Sequence, residues 1–102
     1  MKGTVKQIAW ANDIIETVTS ILTAAREAVE TENAPADLKA SAIQNINTKI
    51  DAIRGAEYAA DIINLFKGIR KTGNAMKDAH NVMAVYNVAV PMSTGERKIL
   101  GK

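Results

Sequence analysis

The chain has 102 residues, of which 47% are hydrophobic and 24% are charged. This length and composition fit one folded domain with a buried core, and they exclude a disordered or fibrous protein. The chain has no cysteine and a single histidine, which excludes disulfides and metal sites built from thiolates or several imidazoles. Its formal net charge of +2 is too small to indicate a nucleic-acid-binding protein by itself.

The sequence predicts neither a signal peptide nor a membrane-spanning helix. Asn12 and Asp13 interrupt the apolar run near the amino terminus. The longest stretch without charge, 79–95, contains His80, Pro91 and two asparagines, so it is too polar to span a membrane. We therefore expect a soluble protein that makes no membrane contact and acts in the cytoplasm.

The first predicted helix, 4–31, begins with Thr4 and Gln7 at the spacing of a capping box, in which each side chain satisfies an amide of the first turn. Apolar residues then recur at steps of three and four, in the a/d pattern of a heptad repeat: Ile8, Ala11, Ile15, Val18, Leu22, Ala25 and Val29. Ile14 and Ile21 widen this face to the width that is typical of a bundle helix.

A helix-breaking turn precedes the second predicted helix, 34–54, for which Asn33 or Asp37 is the predicted cap. Its apolar residues are Leu38, Ala42 or Ile43, Ile46, Ile50 and Ile53. The pattern changes phase at Gly55, so either one long helix carries a phase shift or two helices meet there. Glycine commonly ends helices, which favours a break and a separate third helix, 56–72.

The third predicted helix continues the apolar pattern with Ala59, Ile62 or Ile63, Phe66 and Ile69, and three basic residues follow in its last turn. Asn74 is a good cap for a fourth helix, 74–90, whose apolar residues are Met76, Ala79, Met83, Tyr86 and Val90. Residues 82–88 also alternate as a strand does, but the chain offers no partner strand. The sequence thus predicts an all-α bundle of three or four helices, a single helical domain over 1–102, with a short extended tail at 91–102.

Catalytic patterns are absent from the sequence. No glycine-rich phosphate loop is present, and no glutamate has a histidine three residues later, as di-metal bundles require. His80 with Asp78 or Glu96 has no spacing specific to acid–base chemistry. Glu57 and Asp61, one helical turn apart, are typical of a solvated helix face. We therefore expect a protein without enzymatic activity, cofactor or metal.

Charge is distributed unevenly along the chain. Residues 12–37 contain six acidic residues and one basic residue, whereas residues 67–102 contain seven basic and two acidic residues. The candidate acidic interaction surface consists of Asp13, Glu16, Glu27, Glu30 and Glu32. The candidate basic interaction surface consists of Lys67, Arg70, Lys71, Lys77, Arg97 and Lys98. The folded molecule is expected to be polarised between these two surfaces.

Three kinds of partner follow from this distribution. The acidic surface can occupy a basic groove of another protein, where it mimics the charge of nucleic acid. The basic surface can bind the phosphate backbone of nucleic acid without reading its sequence. Opposed charges, or sharing of the heptad face between copies, can produce a homo-oligomer such as a structural or virion component.

The stretch from Gly3 to Ile14 resembles the opening of small helical proteins of bacteriophages and mobile elements, which commonly begin with Gly-Ser/Thr-x-Lys-Gln-Ile/Val-x-Trp-Ala. Trp10 is the tryptophan of that pattern, and we expect it to border the apolar face of the first helix. Residues 59–64 are more faintly similar to the third helix of those proteins, where Tyr58 and alanines replace paired tryptophans.

This resemblance implies a small accessory protein and no catalytic residues, and some members of the group look like inhibitors of host defence, including anti-CRISPR proteins. We therefore expect a non-enzymatic protein that acts in the cytoplasm of a bacterial host cell, where it binds and inhibits a host defence protein, with a CRISPR nuclease complex as the candidate target. Backbone-directed nucleic-acid binding and self-assembly stay open as alternatives.

Overall fold

The computed structural model describes residues 1–87 and 93–102. Helices in these ranges are α1 (Val5–Thr31), α2 (Ala36–Arg54), α3 (Ala59–Phe66), α4 (Ala75–Tyr86) and α5 (Thr94–Leu100). The described residues form no strand, and an isolated parallel bridge joins Lys2 to Tyr58. The fold is all-α, as the sequence predicts.

The predicted capping box starts α1. The Gln7 N–H donates to Thr4 Oγ1 at 3.1 Å, and the Thr4 N–H donates to Gln7 Oε1 at 3.0 Å. Gly3, just before the cap, has a φ of +151°, and a Cβ there would lie 3.1 Å from the Cβ of Ala59. Glycine therefore lets the backbone before α1 approach the start of α3 closely.

The apolar face of α1 forms the centre of the core. Its heptad residues Ala11, Val18 and Leu22 are fully buried, and Ile14 and Ile21 are buried beside them. The other four heptad residues, Ile8, Ile15, Ala25 and Val29, are partly buried against the same core. The other buried apolar side chains of the described residues come from α2, α3, α4 and α5: Ile46, Ile50, Ile53, Ala59, Ile62, Ile63, Phe66, Val82, Ile99 and Leu100. The heptad face of α1 is thus packed against the other helices of the same chain.

The break predicted at Gly55 is confirmed, because α2 ends at Arg54. The predicted caps of α2 are wrong: Pro35 occupies the N-cap position and no side chain caps the helix. The third helix is shorter than the predicted 56–72. The Lys2 N–H donates to the Glu57 carbonyl at 2.7 Å and the Ala59 N–H donates to the Lys2 carbonyl at 2.8 Å, which holds the residues before α3 extended.

Among the described residues, two apolar side chains assigned to the core by periodicity are exposed. Leu38 on α2 is 62% exposed and Met76 on α4 is 82% exposed, whereas Val82 is the fully buried apolar residue of α4. Both exposed residues lie in the first turn of their helices. A helical period fixes spacing but not which residues meet another element.

The extended tail predicted at 91–102 is wrong, because α5 occupies most of its described part. Ser93 caps this helix by accepting from the Glu96 N–H at 3.1 Å. Gly101, with a φ of +72°, ends it, and the Lys102 N–H donates to the Arg97 carbonyl at 2.9 Å. This is a Schellman arrangement, which favours glycine at the left-handed position. Ile99 and Leu100 are buried, so α5 is docked on the bundle.

Helix α4 is shorter than the predicted 74–90. Asn74 caps it as predicted, since its side chain accepts from the Lys77 N–H at 3.1 Å. The helix ends at Tyr86, so residues 82–86 are helical rather than extended. The predicted positions at Val90 and Pro91 lie outside the described residues.

The molecule measures 45 × 28 × 21 Å and has two distinct ends. Helices α1 and α2 are antiparallel: Arg26 Nη1 donates to Asn47 Oδ1 at 2.6 Å, and Lys39 Nζ donates to the Glu30 carbonyl at 3.2 Å. We call the end that contains the Lys2–Tyr58 bridge, residues 1–10, 51–61 and 93–102, the bridge pole. We call the other end, residues 26–40 and 74–80, the hairpin pole.

Two cavities show which further elements reach each pole. At the hairpin pole, Ala25 and Ala28 of α1 face the first turns of α4 across an apolar groove of about 170 Å³. At the bridge pole, a cavity of about 340 Å³ lies between the end of α2 and α5. Helix α4 packs on α1 and α3, whereas α5 packs on α2 and α3.

Candidate interaction surfaces

Four of the five candidate acidic residues lie on one face of α1. Asp13, Glu16, Glu27 and Glu30 are all exposed. Because an α-helix turns by about 100° per residue, these four positions fall within an arc of about 100°. That arc is opposite the buried face of α1. We call these four residues the acidic face; Glu32, the fifth candidate, caps the end of the helix and is exposed there.

The acidic face extends over about 26 Å of helix, at 1.5 Å per residue. Asp13 and Glu16 lie near one end of it, and Glu27 and Glu30 near the other. Hydroxyl-bearing and small residues occupy the positions between these two pairs. A long rigid helix therefore presents two pairs of carboxylates at a fixed separation.

An open groove of about 410 Å³ lies along the middle of this face. Its lining residues are Glu16, Thr19, Ser20, Thr23, Ala24, Glu27, Arg54 and Lys71. Lys71 Nζ donates to Ser20 Oγ at 2.9 Å, which places a base between the two pairs of acids. The separation of charge predicted from the sequence is thus incomplete, because one candidate basic residue folds against the acidic helix.

The six candidate basic residues are divided among three parts of the fold. Lys67 is the C-cap of α3, and Arg70 and Lys71 lie in the connection between α3 and α4. Because α3 ends at Phe66, the prediction that these three bases form its last turn is wrong. Lys77 lies in the first turn of α4, and the remaining two, Arg97 and Lys98, lie on α5. All six are exposed.

A buried carboxylate fixes α5 to α3. Asp61 is only 8% exposed, and Ser93 Oγ donates to its Oδ1 at 3.1 Å. The prediction that Glu57 and Asp61 both lie on a solvated helix face is therefore wrong for Asp61. Glu57 is exposed and forms an ion pair with Lys2 Nζ at 3.1 Å. Pairing of Asp61 with Ser93 was invisible in the sequence because the two residues are distant along the chain.

A second buried carboxylate, Asp78, holds the connection before α4. It accepts from the Thr72 N–H at 3.0 Å and from Thr72 Oγ1 at 2.6 Å. The hydrogen bond from the Thr72 hydroxyl holds the pKa of Asp78 below its ordinary value. The sequence offered one signal for this role, an acid in the first turn of a helix shortly after a threonine.

Lys2, at the bridge pole, has several partners. Lys2 Nζ lies 5.5 Å from the centroid of the Tyr58 ring and also pairs with Glu57. The hydrogen bond to Glu57 raises the pKa of Lys2, and the Tyr58 charge adds to this effect. These side-chain contacts accompany the backbone bridge, so the residues before α1 are bound to the connection between α2 and α3.

The candidate acid–base pairings of His80 do not form in the described residues. His80 is exposed, whereas Asp78 is 2% exposed and bonded to Thr72. Within the described ranges, no group of three or more His, Cys, Asp or Glu residues lies close enough to hold a metal ion.

Trp10 is half-exposed at 51%, beside the acidic face and the buried face of α1. This position agrees with the expectation that it borders the apolar surface.

Among the described helices, none has the length and hydropathy that a membrane span requires. No protein-family model, curated protein or solved structure matches the chain.

Proposed function

We propose that this chain is a non-enzymatic accessory protein of a bacteriophage or mobile element that binds and inhibits a host defence protein. Its acidic face docks into a basic groove that otherwise binds nucleic acid, and a CRISPR nuclease complex is the candidate target. The observation that carries the proposal is the alignment of four exposed carboxylates on the face of α1 opposite the core.

The spacing of these carboxylates supports a protein partner with an extended basic groove. Glu27 and Glu30 are one helical turn apart, as are Asp13 and Glu16, so each pair offers adjacent negative charges. Such charges steer association with a basic surface and suppress wrong partners more than they add affinity. The resemblance of the amino-terminal stretch to small phage proteins supports the same kind of partner.

The acidic face is also poorly suited to self-association. If two copies met through it in antiparallel register, Asp13 would face Glu30 and Glu16 would face Glu27. In parallel register, each carboxylate would face its own counterpart. Because like charges in contact are repulsive, this face favours a basic partner over a second copy.

Competition with DNA tests this proposal. A purified CRISPR nuclease complex is bound to fluorescent double-stranded DNA, and anisotropy is measured as the chain is added. We expect the wild-type protein to displace the DNA. A variant with Asp13→Asn, Glu16→Gln, Glu27→Gln and Glu30→Gln should need at least about tenfold more protein, since each 1.4 kcal/mol is a factor of ten.

Two double variants separate the effect of the acidic face from that of net charge. Glu27→Gln with Glu30→Gln alters the acidic face, whereas Asp37→Asn with Asp51→Asn makes the same change in net charge on exposed positions of α2. Only the first pair of substitutions should weaken inhibition. An equal loss of inhibition in both double variants would show that net charge causes the effect and that the acidic face does not. Absence of inhibition across a panel of CRISPR complexes and other defence nucleases would contradict the proposal.

A further inference from the structure

The large apolar side chains left exposed in the described residues all lie at the two ends of the molecule. Those at or just beside the bridge pole are Met1, Val5, Trp10 and Tyr58. Those at the hairpin pole are Leu38 and Met76. Val5 is 86% exposed and Met76 is 82% exposed, so each end presents at least one apolar side chain that the fold hardly covers.

The two poles also differ in charge. The segments of the bridge pole contain six basic and four acidic residues, a net charge of +2. The segments of the hairpin pole contain three basic and five acidic residues, a net charge of −2. Each pole therefore combines exposed apolar side chains with an excess of one sign of charge.

We propose that copies of this chain associate head to tail, with the hairpin pole of one copy on the bridge pole of the next. This arrangement buries apolar side chains on both partners and brings opposite charges together. Contact between two identical poles would place an excess of the same charge on both sides. Since the two surfaces are different and lie at opposite ends of a 45 Å molecule, each added copy leaves one free surface of each kind.

The association is weak and depends on salt. Few apolar side chains lie at each pole, so the contact is smaller than a standard interface, and self-association appears between about 10 µM and about 1 mM protein. Raising the ionic strength from about 0.03 M to about 0.5 M shortens the range of charge interactions and lowers the mean mass. Glu27 and Glu30 belong both to the acidic face and to the hairpin pole. The association involves only copies of this chain, so it can be tested without a host protein and can fail independently of the inhibitory function proposed above.

Sedimentation velocity across this concentration range tests the proposal. At low salt, the mean mass of the wild-type protein should rise past that of a dimer as concentration increases. A protein that stays monomeric at about 1 mM, or that stops at a dimer, contradicts the proposal, because a head-to-tail contact leaves free ends.

Variants that block one pole give the sharper test. Trp10→Glu adds an acid at the bridge pole, which repels the acidic hairpin pole. Met76→Lys adds a base at the hairpin pole, which repels the basic bridge pole. Each variant alone should be monomeric. Their mixture should form a one-to-one dimer that does not grow, because only one pair of unblocked poles remains.

Second variants and controls keep the result independent of folding defects. Val5→Glu and Leu38→Lys block the same two poles at other exposed positions. Asn64→Glu and Thr48→Lys add the same charges at exposed positions outside the poles and should associate as the wild type does. Circular dichroism confirms that each variant is folded. Association of a single blocked variant by itself, or a mixture that stays monomeric, would overturn the proposal.

Discussion

At Gly95, α5 lies against the side chain of Asp61 on α3. A Cβ at this position would overlap the Asp61 carboxylate, with 2.8 Å to its Cγ. We predict that Gly95→Ala lowers the free energy of unfolding by about 1–3 kcal/mol, the usual cost of overpacking. Urea denaturation measures this change.

Gly68→Ala is the matched control for Gly95→Ala, because a Cβ at Gly68 meets no atom within 4 Å. This control should leave the stability unchanged or raise it slightly. Equal stability of the two alanine variants would show that α5 does not dock on Asp61.

The hydroxyl of Tyr86 is buried without a hydrogen-bond partner in the described residues. Burial raises the pKa of this phenol, because ionisation would place a charge where water cannot reach. The centroids of the Tyr86 and Phe66 rings are 6.3 Å apart. Lys49 Nζ lies 5.0 Å from the centroid of the Tyr86 ring. Phenylalanine would keep both contacts.

We therefore predict that Tyr86→Phe leaves the free energy of unfolding unchanged or raises it by up to about 1 kcal/mol. Tyr58→Phe, at a half-exposed ring, is the control and should change stability by less than about 0.5 kcal/mol. Guanidinium denaturation compares the three proteins. A clear loss of stability in Tyr86→Phe would mean that the hydroxyl is satisfied in the folded protein.

Asp78 gives the protein an acid-sensitive contact. Its pKa lies below the ordinary value of 3.8 in the folded protein, so its ionised form stabilises the fold above that pH. This contribution is lost as the pH falls through the lower folded-state value.

We predict that Asp78→Asn lowers the Tm at pH 7 and that the difference from wild type narrows below pH 3.8. Thermal melts followed by circular dichroism from neutral to acidic pH measure this. A difference that is constant over the whole range would show that the carboxylate charge contributes nothing.

At the scale of the helices, two leucines with the same predicted role have different surroundings. Leu22 of α1 is fully buried, whereas Leu38 of α2 is 62% exposed. We predict that Leu22→Ala costs about 2–5 kcal/mol and that Leu38→Ala costs less than about 0.5 kcal/mol. Urea denaturation of the two variants checks this, and a similar cost for both would contradict the burial described above.

The helices most accurately predicted from sequence are those with strong local signals. The start of α1 follows from the Thr4 and Gln7 spacing, and its buried face follows from a long regular repeat. The ends of α3 were not predictable in this way, because a distant residue, Lys2, bonds to the backbone before it. Tertiary contacts of this kind leave no periodic pattern.

The missed helix α5 did have a local signal. Ser93 and Glu96 have the spacing that begins many helices, and Gly101 is placed to end one. The apolar pattern did not reveal this helix, because seven residues are too few to show a helical period. A short helix is also marginal on its own, so its formation depends on the burial of Ile99 and Leu100.

For the whole molecule, counting charge along the chain predicted only part of the charge pattern. The acidic residues of α1 align because one helix carries them. The bases are separated because α4 and α5 pack on different helices, and Lys71 turns back onto Ser20. Proximity along the sequence therefore predicted the acidic face but could not predict how the basic residues are distributed in space.

The separation of the basic residues leads to a prediction about DNA binding. We expect only weak DNA binding at low salt, and a variant with Lys67→Gln, Arg70→Gln and Lys71→Gln should bind DNA as weakly as wild type. Gel-shift titration at several salt concentrations measures both. Strong, salt-sensitive binding that is lost in this variant would favour the alternative function in which the basic surface contacts phosphates.

The central position of α1 has a consequence for the order in which the fold opens. Helices α2, α3 and α4 all pack on α1, whereas α5 packs on α2 and α3. A fluctuation that releases α5 therefore leaves the packing around α1 in place, but unwinding α1 removes the support of three helices at once. Amide protons in the middle of α1 should exchange with solvent only through global unfolding, while those of α5 exchange through a smaller, local opening.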